Sequence, residues 1–146
     1  MDTTLSNATT IESRPPRTAA RWTGRALEIL TALFLTFDVV IKLVDHPAVR
    51  ESSATLGLPD SMTKPVASIL AACLALYLIP RTAPIGAVLL TGYLGGAVLV
   101  HARVGDPLFS HTLFPVYVGA IVWVGLYLRD DRVRGLLRAP EGNVRR

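Results

Sequence analysis

Asp38 and Lys42 stand one helical turn apart inside the oily run "FLTFDVVIKLV", the spacing at which an acid and a base meet on a helix surface. Two chemistries fit that spacing. One is a pair that neutralises itself, with the Lys42 ammonium reaching outward along its alkyl stem; the other is a carboxylate that accepts a proton or anchors a ligand in a pocket. At about 100° per residue, Glu28, Thr31, Leu35, Asp38 and Lys42 fall within one arc about 80° wide. A central Asp or Lys costs about 2.5 to 3.5 kcal/mol in hydrocarbon, so this face is predicted to look into a bundle or a wet cavity and not at lipid. Glu28, near the end of the run, fits a cap or interfacial role as well as an acid.

A second group lies in "GYLGGAVLVHARVGDPLFSH". His101 and Arg103 end one oily segment, Gly105-Asp106-Pro107 turns the chain, and His111 follows. Metal ligands need tight spacing such as HxxxH or HExxH, which His101 and His111 lack, so no metal site is expected. A hydrogen-bonded surface cluster is, with Asp106 or Asp45 pairing Arg103 or a histidine.

Those residues need elements to hold them. The chain has 146 residues, 51% hydrophobic and 18% charged, and its mean hydropathy is +0.43, greasier than a soluble domain of this size. About 20 apolar residues cross a bilayer as a helix, and four runs qualify: Trp22–Val44, Pro65–Ile79 with help from residues 61–64, Ile85–Ala102 and Leu113–Leu128. Pro80-Arg81-Thr82-Ala83-Pro84 reads as a tight hairpin, since neither proline can donate into a continuing helix. Pro115 falls in the first turn of the last helix, where its missing N–H does little harm. The predicted fold is an all-α bundle of four transmembrane helices.

Arg14, Arg17, Arg21, Arg25, Arg81, Arg129, Arg132, Arg134, Arg138, Arg145 and Arg146 flank one side of these crossings, and only Arg50, Lys64 and Arg103 the other. Cations gather on the cytoplasmic side. Both termini are therefore expected in the cytoplasm, with Asp38, Lys42 and the His101–His111 turn toward the outer face of the inner membrane. Residues 1–20 read as a disordered polar tail, 21–138 as the membrane domain and 139–146 as a basic tail. The apolar run after residue 21 is too long for a signal peptide and lacks a cleavage site.

The basic residues flank oily segments and do not interleave with aromatics, which excludes a nucleic-acid partner and leaves the lipid bilayer. Gly92, Gly95 and Gly96 form a small-residue face that predicts close helix packing, within the chain or in a homo-oligomer; Thr91 beside them would donate a hydrogen bond to a neighbouring helix. The lone cysteine, Cys73, reads as a small buried apolar group and cannot form an internal redox pair. With no GxGxxG, P-loop or axial-ligand pattern, no intrinsic cofactor is expected.

The segments "FDVVIKLVDHPAVRESSATLGLP" and "YLIPRTAPIGAVLLTGYLGGAVLVHARVGDPLFSHTLFPVYVGAIVWVGLYLRD" resemble the DoxX-like family of small bacterial four-helix membrane proteins, over about Trp22 to Leu137. The resemblance singles out Asp38, Lys42, residues 56–59, Pro80-Arg81-Thr82, Gly92 to Gly96, His101, Arg103, Gly105, Asp106, Pro107 and His111. It also implies a small or hydroxyl pair before the histidine, where this chain has the drier Leu99-Val100. Some relatives act in thiosulfate:quinone oxidoreduction, so the resemblance implies a quinone as candidate ligand and an oxidoreductase as candidate partner subunit. Three functions stay open. The first is an accessory subunit or lipophilic-ligand binder with a polar pocket in the outer half of the bundle, lined by Asp38, Lys42, His101, Arg103, Asp106 and His111. The second is a quinone-interacting subunit. The third is an acid-base enzyme on a lipophilic substrate, using Asp38 or Glu28.

Overall fold

A computed structural model describes residues 17–137; most of the two predicted tails lies outside the described residues. The order is α1 (Arg17–Leu43), α2 (Pro47–Thr55), a 3-10 turn (Asp60–Met62), α3 (Thr63–Leu78), α4 (Ala83–Arg103), a π turn (Leu108–Thr112), α5 (Phe114–Arg129) and α6 (Asp131–Leu137). No strand occurs among the described residues. Within the described residues α1 includes Arg17 to Ala20, where Ala19 and Ala20 are strong helix formers.

Four helices make the bundle. Both α1 and α4 pack against α3 and α5, so α1 lies diagonally opposite α4. The closest approaches occur where glycine replaces a side chain. A Cβ on Gly24 of α1 would lie 2.9 Å from the Gly125 carbonyl of α5, and one on Gly86 of α4 within 2.5 Å of Tyr77 Cα on α3. The Tyr77 ring is fully buried beside Leu70, Leu90, Val122 and Leu126, and its hydroxyl donates to the Val122 carbonyl at 3.2 Å. The thiol of Cys73 is buried in the same apolar cluster.

The outside of the bundle is oily. Leu33, Phe37 and Leu99 are 66%, 64% and 70% exposed, an apolar surface far beyond what a monomer shows to water. Three helical stretches, Asp60–Leu78, Ala83–Arg103 and Leu108–Arg129, are long and apolar enough to cross a membrane. The chain is a multi-pass membrane protein. The sequence reading expected four such stretches; α1 has ample length at 27 residues, but Arg21, Arg25, Glu28, Asp38 and Lys42 dilute its hydropathy. The apolar stretch Asp60–Leu78 takes in residues 61–64, since the 3-10 turn runs directly into α3.

The hairpin between α3 and α4 closes as the prolines require, with Thr82 N–H donating to Ile79 O at 3.0 Å and Thr82 Oγ1 to Leu76 O at 2.8 Å. Gly105 turns the chain at φ +75°, a left-handed conformation that glycine adopts without strain. Pro115 enters α5 in its first turn.

Candidate functional site

The α1 arc points inward along its length. Thr31 and Leu35 are buried, and Asp38 and Lys42 are half-buried at the end of the bundle where α2 lies. There Lys42 Nζ donates to Asp38 Oδ2 at 2.5 Å and reaches across to the Tyr93 hydroxyl of α4 at 3.2 Å. An ammonium has three protons, so one remains after these two contacts. The Tyr93 oxygen accepts from Lys42 and keeps its own proton to give.

Beside this trio is a cavity of about 670 Å³ between α1, α3 and α4, with α2 as its roof. Its walls are mostly aliphatic, from Ile41, Val49, Leu58, Val66 and Val100, with Asp38, Lys42, Tyr93, His101 and the hydroxyl residues Ser52, Ser53 and Thr63 as the polar points. Gly92 and Gly96 form its floor, and a Cβ on either would meet nothing within 4 Å; the same holds for Gly95, outside the cavity. Within this chain the expected packing role of these glycines is therefore not met. The bundle closes through Gly24, Gly86 and Gly125, and the 92–96 face leaves the backbone of α4 bare.

Three of the six residues singled out from sequence reach the cavity: Asp38, Lys42 and His101. Asp106 stands behind His101, its carboxylate 2.6 Å from the ring Nδ1. A carboxylate only accepts, so Nδ1 carries the hydrogen of this contact, and in the tautomer that this selects Nε2 is the acceptor. The Asp106 carbonyl accepts from the Thr112 hydroxyl at 3.2 Å, which holds the turn. The His111 ring is exposed with its centroid 6.4 Å from that of His101, and it meets Ser110 Oγ. Arg103 does not line the cavity; its guanidinium donates to the carbonyl of Leu56, a lining residue, at 2.7 Å. Among the described residues no three metal-ligating side chains converge.

Sequence reasoning missed α2 and Tyr93. The signal for α2 was present: His46 caps its first turn through Nδ1, and Pro47 occupies the first helical position. Two latches hold the roof. Arg103 fixes its C-terminal end, and Arg50 donates to Asp45, through Nε at 3.0 Å and through a second nitrogen, fixing its N-terminal end. Asp45 itself sits at φ +57°, which aspartate tolerates better than most residues. The Arg50 guanidinium hydrogen-bonded to Asp45 holds its carboxyl below the usual carboxylate range. A lowered folded value means the latch is intact above the ordinary carboxylate value of 3.8 and lost as pH falls through the folded one. Hydrogen-exchange protection of residues 47–55 is accordingly expected to hold through neutral pH and to fall below about pH 4, while the cores of α3 and α4 stay protected. Arg103→Ala is expected to lower protection of the same residues at neutral pH.

At the opposite end, Glu28 meets Arg129 at 2.7 Å, with both side chains 13% exposed. Arg129 also donates to the Tyr77 carbonyl at 3.2 Å and lies 5.2 Å over the Tyr77 ring. The place of Glu28 is thus a structural clasp of α1 to α5, distant from the cavity. Thr91 donates to Ala87 of its own helix at 2.8 Å and accepts from Trp123 Nε1 of α5 at 2.9 Å, so it joins the neighbour as acceptor and not as donor.

A helical membrane bundle with a mostly apolar cavity and a few converging polar groups is the class these observations define. The DoxX-like family model matches residues 26–125, most of the chain and every helix that walls the cavity; the chain belongs to that family. No curated protein and no solved structure matches it.

Proposed function

We propose that this protein binds a lipophilic small molecule carrying an oxygen-bearing head, in a pocket at the outer end of a four-crossing bundle. The observation that carries the reading is the cavity of about 670 Å³ whose oily walls converge on Lys42 and Tyr93, the composition expected of small-molecule sites. The remaining Lys42 proton and the Tyr93 hydroxyl would share one acceptor oxygen of the ligand. The tail would lie along the bare backbone at Gly92 and Gly96.

The fourth crossing is α1. Its length suffices, its Asp38 and Glu28 are paired and turned inward, and its outward face carries Leu33 and Phe37. Arg21, Arg25, Arg81, Arg129, Arg132 and Arg134 gather at the end away from the cavity, which supports both termini in the cytoplasm and the cavity toward the outside of the inner membrane.

A quinone is the more specific reading, favoured by the division of the polar groups. Donors, Lys42 of α1 and Tyr93 of α4, meet at one point of the cavity, and His101, held by Asp106, stands eight residues further along α4. That division suits the reduced, quinol form of the ring, whose oxygen at one end accepts from Lys42 and Tyr93 and whose hydroxyl at the other donates to His101 and has a proton to exchange. The chain would then serve as a subunit beside a partner that supplies electrons.

A short-tailed benzoquinol analogue, kept reduced and titrated into detergent-purified protein, tests both levels, with a long-chain alcohol as comparison. Saturable binding is expected, weakened about tenfold, or 1.4 kcal/mol, by Asp38→Asn and by His101→Ala. Binding of the alcohol alone would support the lipophilic pocket and reject the quinone; no saturable binding of either would reject the pocket.

A further inference from the structure

The end of the bundle away from the cavity carries a second hollow, of about 450 Å³, where the start of α1 meets the ends of α3 and α5. Arg21, Arg25 and Arg129 line it, together with three acids, Glu28, Asp130 and Asp131. Each acid is already taken. Glu28 holds Arg129, Asp130 holds Arg132, and Asp131 holds both Arg21 and Arg134. Arg25 has no anionic partner among the described residues, so the hollow keeps an unanswered positive charge. Two guanidinium nitrogens at this end, Nε of Arg129 and of Arg134, are buried without an acceptor among the described residues. Only Arg129 of the two lines the hollow, and both nitrogens are closed off from it, so the free charge there is that of Arg25.

An oily track leaves the same place. Ile29 and Leu33 follow Arg25 at successive four-residue steps on α1, so they extend from it along one face, and both are well exposed at 58% and 66%. Leu78 at the rim is exposed as well. Cation at the head and apolar stripe beneath it match an amphiphile with an anionic head, and the hollow lies where the apolar spans end.

We infer that this hollow is a specific site for an anionic phospholipid, its phosphodiester held by Arg25 and the neighbouring guanidinium groups and one acyl chain lying along Ile29 and Leu33. Arginine suits the task because its planar fork presents paired donors to phosphate oxygens. This site is independent of the outer cavity and of whatever ligand that cavity holds.

Thermal unfolding of the full chain in neutral detergent, with phosphatidylglycerol, phosphatidylcholine or inorganic phosphate added, reads the site. Phosphatidylglycerol is expected to raise the melting temperature saturably, and the other two not. Arg25→Gln should leave the melting temperature without lipid unchanged and weaken the phosphatidylglycerol response about fivefold, the worth of one basic residue at a membrane surface. Arg81→Gln, an exposed cation on the same side outside the hollow, should keep the full response. Equal stabilisation by phosphatidylcholine, reproduction of the effect by inorganic phosphate, or equal losses in Arg25→Gln and Arg81→Gln would each overturn the inference.

Discussion

Gly86→Ala is expected to cost the protein about 3 kcal/mol or more, while Gly92→Ala, six residues further along the same helix, is expected to stabilise it by about 0.5 to 1 kcal/mol. Alanine is the better helix former in both places, so local propensity predicts the same sign twice. Tertiary context separates them. A Cβ at Gly86 would land within 2.5 Å of Tyr77 Cα and 2.7 Å of the Leu76 carbonyl carbon, and backbone atoms cannot rotate away as a side chain can. The two helices would have to part, opening the cluster around Tyr77, Leu90 and Leu126. At Gly92 the new methyl would meet nothing within 4 Å. Melting temperatures of the two variants in one detergent check the contrast, and a similar change in both would mean that α3 and α4 do not meet at Gly86.

The second large effect is expected at the clasp. Glu28→Gln should lower stability by about 2 to 4 kcal/mol, because a guanidinium with 13% exposure would lose its counter-charge and remain among buried groups. The Tyr77 carbonyl and ring would still hold Arg129, which keeps the loss below that of a wholly isolated charge. Glu28→Gln combined with Arg129→Gln should recover part of the loss, since two neutral amides can face each other without a bare ion. A double-mutant cycle would give the coupling directly; purely additive losses would mean that the pair does not interact in the membrane.

What could be read from the amino acids alone follows from how local each signal is. The inward face of α1 was legible because Glu28, Thr31, Asp38 and Lys42 repeat at helical period, and hydrocarbon penalises any other orientation. The 80–84 hairpin was legible because proline acts on its own backbone. The glycines were only half legible: small residues at spacing four announce that something approaches or that something is left open, and which of these holds depends on a neighbour brought from elsewhere in the chain. Gly24, Gly86 and Gly125 receive that neighbour, and Gly92 and Gly96 do not. Arg103 was placed in the pocket by its charge, yet its partner is the backbone carbonyl of Leu56, an acceptor every residue has and no sequence pattern marks. Tyr93 carried no signal of its own because its role depends on Lys42, 51 positions away.

The claim on which the rest depends is that the bare stretch of α4 leaves room for a lipophilic guest beneath α2. Native mass spectrometry of protein released from its own membranes, compared between wild type and Gly96→Leu, tests it most directly. The leucine side chain starts from an open position on the cavity floor and would cover the bare stretch of α4 without touching the clasp at the other end. The account predicts a small hydrophobic adduct, distinct from phospholipid, on the wild type and its absence from a Gly96→Leu variant that still folds. An adduct retained equally by both proteins, or carried by neither, would contradict it.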